Sequence, residues 1–187
     1  MTDPFALTDS LGPERIVHVS NPDTDLQAIV VVDNTALGAG LGGTRLATDV
    51  TLEECARLAR AMTLKNALAG LPHGGAKSVI RADPRMPIKE KEQLMRAFAC
   101  AIKYLTEYIP GPDMGTNEQA MGWVHDEIGR SVGLPRIVGG IPLDEIGATG
   151  LGVAVAADVA QDFSDVSLQG ARVAVQGIGA VGEHAAR

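Results

Sequence analysis

The chain has 187 residues, of which 45% are apolar, 21% charged and 3% aromatic, a globular composition too apolar for a disordered chain. Sixteen lysines and arginines against 23 aspartates and glutamates give a net charge of -7, which excludes the basic footprint of a nucleic-acid binder. No apolar run approaches the ~20 residues that span a bilayer, and the opening MTDPFALTDS lacks the basic and apolar regions of a signal peptide. A soluble cytoplasmic protein with no membrane or nucleic-acid partner is expected.

In chain order, the first ten residues read as frayed. Residues 15–19 (RIVHV) predict a short strand, Asn21-Pro22-Asp23 a turn, and the β-branched run 26–32 (LQAIVVV) a buried strand. Residues 38–45 read as a glycine loop. Thr51 followed by Glu54 is a capping-box pattern that opens a helix over 52–68. A second glycine loop spans 71–77, and a strand over 78–80 ends at Asp83-Pro84. An amphipathic helix is expected over 88–108, with Leu94, Phe98, Ile102 and Leu105 near helical spacing. Two prolines and two glycines make 109–116 (IPGPDMGT) a loop. Residues 118–132 read as helix, 135–147 as an irregular connection, and 149–163 as an Ala/Val helix whose thin polar face predicts burial. A strand over 172–176 (RVAVQ) then leads into Gly177 and a helix start.

Glycine numbers 22 and clusters at 38–43, 70–75, 129–152 and 177–182. Such clusters mark sharp turns or close backbone approach. The last cluster, Gly177-Ile178-Gly179-Ala180-Val181-Gly182, is G-x-G-x-x-G directly after a predicted strand. The first glycine makes the turn, the second admits a pyrophosphate to the backbone, and the third permits tight strand–helix packing. The following helix N-terminus then faces the phosphates. The bland alternative is a tight strand–helix turn with no ligand. The acidic residue ~20 positions further on that completes the pattern falls beyond Arg187. A parallel sheet needs several βαβ units, so the expectation is a complete first domain and only the opening of a second.

Lys65, late in the helix MTLKN, and Lys77, at the end of HGGAK, lie twelve residues apart. Most lysines are solvated surface charges. Lys77 differs: Gly74, Gly75 and Ala76 leave room for a small molecule before it, and apolar Val79-Ile80 follow. Neighbouring, partly buried ammonium groups lose protons more readily, and a lysine tuned toward neutrality can do acid–base work while a second holds a carboxylate. Asp113, in GPDMGT, is ordinary turn chemistry when taken alone. Beside a lysine it can share proton traffic in a closed site.

Segments 41–45 (LGGTR), 62–84 (MTLKNALAGLPHGGAKSVIRADP), 111–118 (GPDMGTNE), 133–153 (GLPRIVGGIPLDEIGATGLGV) and 177–182 (GIGAVG) resemble, in the same order, segments of the glutamate/leucine/phenylalanine/valine dehydrogenase family. The resemblance covers residues 26–187. It implies an α/β fold: a mixed-sheet substrate-binding and oligomerisation domain with flanking helices over 1–147, then over 148–187 a linking helix and the truncated start of a Rossmann-like dinucleotide-binding domain. It implies a homo-oligomer, with reversible NAD- or NADP-dependent oxidative deamination of an L-amino acid to its 2-oxo acid and ammonia. By position, Lys65 would bind the substrate α-carboxylate. Lys77 would polarise the carbonyl and the attacking water, and Asp113 would move protons to and from the amino group. Gly42 and Gly43 would line the substrate pocket. Thr149 would lie near the nicotinamide, and Gly177, Gly179 and Gly182 would hold the pyrophosphate. The chemistry agrees independently, since it needs a cation for a carboxylate, an acid–base group and a second cation for a developing oxyanion.

Glutamate-specific members resembling this chain carry a lysine where Leu41 stands. A leucine cannot pair with a buried carboxylate, so Leu41 favours an apolar substrate side chain: leucine, valine, isoleucine or phenylalanine. Met62 points the same way, and Gly111 leaves room for a larger side chain. Residues 133–150 look more like the glutamate type, which keeps glutamate dehydrogenase as the alternative. From another class, the chain reads as a non-catalytic amino-acid-binding or oligomer-interacting module, to be told apart by amino-acid binding without NAD binding. His18, His125 and His184 have no ligand spacing, and no metal site is expected. His73 is read as structural, and Cys55, Cys100 and Trp123 as packing residues.

Overall fold

In the computed structural model, which describes residues 3–187, the β-branched run near residue 30 is part of a five-stranded mixed sheet. The strands are β1 (Arg15–Asn21), β2 (Leu26–Asn34), β3 (Gly40–Ala47), β4 (Gly74–Arg81) and β5 (Tyr108–Pro112), in the order β1-β2-β4-β3-β5. β1 and β2 are antiparallel, as are β2 and β4, whereas β3 runs parallel to both β4 and β5. The helices are α1 (Leu52–Leu68), α2 (Ile88–Ala101), α3 (Glu118–Ile128), α4 (Ala148–Ala160) and α5 (Ala180–Ala186). Residues up to Gly140 form one compact unit and Ile141–Arg187 a second. Of the opening residues expected to be frayed, Pro4–Leu7 form a 3-10 turn capped by Asp3, and residues 1 and 2 lie outside the described residues. No helix among the described residues is long and apolar enough to cross a membrane.

The expected α/β class with a mixed sheet and flanking helices holds for the first unit. Period-two alternation divides its strands between two faces. Val30, Val32, Ala76 and Ile80 pack with Phe98 of α2 and Val124 of α3. On the opposite face, Val31 and Val79 pack with Cys55 and Ala59 of α1. The Thr51 hydroxyl accepts the Glu54 N–H at 3.1 Å and caps α1, but only half the capping box forms, because the Glu54 side chain pairs with Arg45 instead.

Several expectations are corrected. The glycine loops at 38–45 and 71–77 are strand from Gly40 and from Gly74. Glycine serves close approach here rather than turning: a Cβ on Gly42 would lie 1.6 Å from the Ala76 carbonyl oxygen, and one on Gly75 would lie 2.1 Å from the Thr63 nitrogen of α1. The helix expected over 88–108 stops at Ala101, where Arg130 donates to the carbonyls of Ile102, Lys103 and Leu105. Part of the loop expected over 109–116 is β5, an edge strand that tolerates its prolines. α3 ends at Ile128 rather than Val132, since Gly129 takes the left-handed conformation at φ 67° and closes the helix.

In the second unit, the helix expected over 149–163 is α4 followed by a 3-10 turn at Gln161–Phe163. It is exposed rather than buried, with Gly150 alone buried along α4. Residues 172–176 form no strand. A strand exists only against a neighbour, and the described residues place none beside RVAVQ.

Gly42→Ala is expected to destabilise the first unit by about 1–3 kcal/mol or more through overpacking, read as a lower urea midpoint at unchanged slope. Gly152→Ala, in α4 with open space around its Cβ position, is expected to be stabilising by ~0.5–1 kcal/mol. Equal effects at the two positions would remove close approach as the reason for Gly42.

Candidate functional site

Parallel pairing brings three strands to one level. Thr44 of β3 is in register with Ser78 of β4 and with Pro112 of β5, so Gly43, Lys77 and Asp113 sit one residue to either side of that line. Lys77 shares the α1 face with Val79, and its side chain is only 7% exposed. Its Nζ lies 2.8 Å from Asp113 Oδ2. A Cβ on Gly43 would stand 3.0 Å from that Nζ and 2.8 Å from the Asp113 Cβ, so the missing side chain keeps the ion pair uncovered.

A second cation meets the same oxygen. Arg45 Nε donates to Asp113 Oδ2 at 3.0 Å, and the guanidinium also pairs with Glu54 in the first turn of α1. Burial alone would lift the Asp113 carboxyl. The hydrogen bond and charge of Lys77, together with the charge of Arg45, outweigh it and hold the group below its ordinary 3.8. The loop carrying Asp113 is tied down. The Thr116 hydroxyl accepts the Asp113 N–H at 2.9 Å and donates to the Thr44 carbonyl at 2.8 Å, and the Leu46 N–H donates to Met114 O at 2.9 Å.

On the opposite face of these strands, the fully buried Tyr108 hydroxyl sits 2.8 Å from Ser78 Oγ and 3.1 Å from Thr44 Oγ1, with the Gly42 carbonyl oxygen at 3.2 Å. Burial pushes the Tyr108 phenol well up, so it remains a neutral structural donor. Burial likewise pushes the Cys55 thiol up to about 12, and its Sγ–H points to the Lys77 carbonyl at 3.4 Å, which makes it an inert core thiol.

The structure thus joins Lys77, Asp113 and Gly43 directly. Gly42 and Gly111 are held beside them by sheet register, with a Cβ on Gly111 reaching to 3.0 Å from Val132 Cγ2. Half-buried Met62 and exposed Lys65 lie on α1 with Asn66, whose Nδ2 ties that helix to the strands by donating to the carbonyls of Gly74 at 2.6 Å and half-buried Leu41 at 3.2 Å. The charge that meets Lys77 is the Asp113 carboxylate, not the second lysine. Arg45, Glu54, Thr116 and the Tyr108 hydroxyl group were not among the sequence candidates. Arg45 carried a signal: it lies two residues after Gly43, so strand alternation puts it on the same face.

In the second unit, Thr149 is exposed in the first turn of α4. Gly177 has φ +89°, Gly179 is the N-cap of α5 with open space at its Cβ position, and a Cβ on Gly182 would lie 2.0 Å from the Gly177 carbonyl oxygen. A turning glycine, an unobstructed one and a tightly packed one are what a pyrophosphate-binding turn requires, and these three residues fit that group.

Two family models and several relatives match the chain. The family model described as "Glu/Leu/Phe/Val dehydrogenase, dimerisation domain" matches residues 13–130, and that described as "Glutamate/Leucine/Phenylalanine/Valine dehydrogenase" matches 139–187. The NADP(+)-dependent glutamate dehydrogenase of Pyrobaculum calidifontis is 40% identical over 93% of this chain and 46% of its own length. The leucine dehydrogenase of Bacillus subtilis is 38% identical over 95% of this chain and 50% of its own. A crystal structure of hetero-hexameric glutamate dehydrogenase from Thermus thermophilus, in a Leu-bound form, superposes with a TM-score of 0.81 at 37% identity, over 93% of this chain and 46% of that one. The chain spans about half the length of the curated relatives it matches.

The depressed Asp113 carboxyl has a stability consequence of definite sign. Its folded pKa lies below the unfolded value of about 3.9, so its stabilisation is fully present above that value and is lost as pH falls through the folded one. Asp113→Asn removes this acid-side dependence and strands a buried ammonium. The expected loss at pH 7 is about 3 kcal/mol, at the low end for a broken buried pair because the Asp113 side chain is 22% exposed. The stability difference between the two proteins should shrink below about pH 4. Urea denaturation across pH measures it, and a constant difference would rule out the linkage.

Proposed function

The chain belongs to the Glu/Leu/Phe/Val dehydrogenase family, and from that premise we propose that its site serves the reversible oxidative deamination of an L-amino acid. An amino acid, water and oxidised NAD or NADP give a 2-oxo acid, ammonium, the reduced cofactor and a proton. The observation that carries this reading is the largely buried Lys77–Asp113 pair beside the side-chain-free Gly43.

Lys65 is assigned the substrate α-carboxylate. Asp113, held ionised between two cations, is the group to take a proton from the substrate ammonium and free its lone pair. When bound, the nicotinamide cofactor would supply acceptance of hydride from the substrate α-carbon; Gly177, Gly179 and Gly182 are assigned to hold its pyrophosphate and Thr149 to lie near its nicotinamide end. Lys77 orients the water that adds to the resulting imine carbon and stabilises the oxygen as it takes on negative charge. Asp113 then returns its proton to the departing nitrogen, and the 2-oxo acid leaves.

For the substrate side chain we infer an apolar class, because half-buried Leu41 and Met62 offer no charge to a distal carboxylate. Relatives include both leucine and glutamate dehydrogenases, so the side chain, not the reaction, is what separates them. An oligomer is the accompanying proposal, supported by the dimerisation-domain description of the matched family model and by the hetero-hexameric assembly named for the Thermus thermophilus relative; that the partners are copies of this chain is the finer proposal.

Purified from its source and supplied with NAD or NADP, the protein is expected to reduce the cofactor only when L-leucine, L-valine, L-isoleucine or L-phenylalanine is added, followed by nicotinamide absorbance, whereas residues 1–187 alone, with only the opening of the cofactor domain, are expected to be inactive. Lys77→Ala should lower the rate by roughly 10²–10⁴-fold. Full turnover in that variant would refute the role of Lys77, and a preference for L-glutamate would refute the apolar assignment.

A further inference from the structure

Asp113 Oδ2 accepts from two cations of different chemistry, Lys77 Nζ at 2.8 Å and Arg45 Nε at 3.0 Å. A lysine can lose its proton or turn toward a ligand, whereas a guanidinium stays charged and keeps its donors in a fixed fork. Arg45 is moreover anchored from its far end, since its other nitrogen pairs with Glu54 in the first turn of α1. Its side chain is 19% exposed and Glu54's is 29%, so the bridge runs through partly buried space.

We propose that Arg45 is a positioning residue that keeps Asp113 ionised and oriented when Lys77 turns from it toward a ligand. The proposal rests on the deamination reading for the role of Asp113, but the coupling between the two residues is a property of the unliganded chain. Asp113 is faced by Lys77 from β4 and Arg45 from β3, with Glu54 of α1 behind the guanidinium; the neutral Tyr108 phenol interacts electrostatically with Asp113, and the neutral Cys55 thiol with Lys77, Arg45 and Glu54. The cations and anions of this cluster, Lys77 and Arg45 against Asp113 and Glu54, cancel. Removal of Lys77 alone leaves Asp113 one permanent counter-charge, and removal of both leaves a part-buried carboxylate with none.

The inference separates Arg45 from a merely structural side chain. A structural arginine would change stability but would not move the titration of Asp113, and a lysine in its place would be no better than methionine. A positioning arginine acts through charge, so lysine restores the charge while one ammonium cannot reproduce the two-ended grip on Asp113 and Glu54.

The test is a side-chain ¹³C NMR titration of Asp113 in the full chain, with no amino acid or cofactor present, so its outcome is independent of whether the protein deaminates anything. Arg45→Met is expected to raise the Asp113 midpoint by about one pH unit or more. Combined with Lys77→Met it should raise the midpoint further than Lys77→Met alone by at least a similar step. Arg45→Lys should return the midpoint to within about half a unit of the parent, by the same charge argument. Glu54→Gln should leave the midpoint low but speed solvent exchange of the Arg45 Nε–H, since the far anchor is gone. Should Arg45→Met fail to fold, Arg45→Gln, which also removes the charge but keeps a polar side chain, carries the same comparison, and an Asp113 midpoint unmoved by it overturns the proposal equally. An Asp113 midpoint unmoved by Arg45→Met in both backgrounds overturns the proposal. So does a lysine variant that titrates like the methionine one, or an Arg45 Nε–H that exchanges equally fast with and without Glu54.

Discussion

A lysine ammonium inside a β-strand must be met by a negative charge, and here that charge comes from the end of a strand two places away. Neighbouring strands lie ~4.8 Å apart, so Lys77 of β4 and Asp113 after β5 approach across the full width of β3. They reach 2.8 Å because β3 presents Gly43 at the crossing point, where even one methyl group would crowd both partners. The pair therefore depends on an absent side chain. On the proposed reading, the constraint that permits the ion pair also shapes the place where the substrate meets it.

The glycines extend this logic along the strands. Gly42 lets β3 press against the Ala76 carbonyl, and Gly75 lets α1 sit directly on the backbone of β4. Strand and helix backbones packed this closely leave little play in the positions of the side chains they carry. The polar groups that such packing buries are paired within the face opposite Lys77, where Tyr108, Ser78 and Thr44 satisfy one another and the Gly42 carbonyl. α1 is tied to the sheet at both ends, by Glu54 to Arg45 near its start and by Asn66 to the Leu41 and Gly74 carbonyls near its finish. The helix that carries Met62 and Lys65 is thus registered against the strands that carry Lys77 and Asp113.

What was legible in the sequence follows from what is local. The Thr51 cap and the span of α1, the buried run of β2 and the start of α2 at Ile88 rest on neighbouring residues, and the structure has them where the pattern put them. Lys77 and Asp113 stood out because their flanking glycines and prolines were unusual, and the fold brings them into contact. The glycine strands were misread because glycine signals both turning and close approach, and only the neighbouring chain distinguishes them. β5 was hidden by its prolines, which an edge strand permits. Arg45 was overlooked because residues 38–45 read as a loop, where the strand alternation that puts it on the face of Gly43 does not apply. RVAVQ has the composition of a strand and is not one, since composition supplies only half of a ladder.

The charge balance of the cluster bears on how a zwitterion could be held. Lys77 and Arg45 are matched by Asp113 and Glu54, so the partly buried core of the site is neutral before any ligand arrives. An amino acid brings one positive and one negative charge. Its ammonium has Asp113 to meet, but its carboxylate would gain little from cations already engaged with carboxylates of their own. Lys65 is differently placed: it is exposed on α1, one residue before the buried Asn66 that ties that helix to the strands. On the proposed reading it therefore supplies the charge that the neutral cluster cannot, and the ammonium and carboxylate of the substrate are sorted to opposite ends by which protein charges are already paired. On that reading, such sorting would fix the direction in which the α-carbon faces before any step of the chemistry, through charges already paired in the unliganded protein.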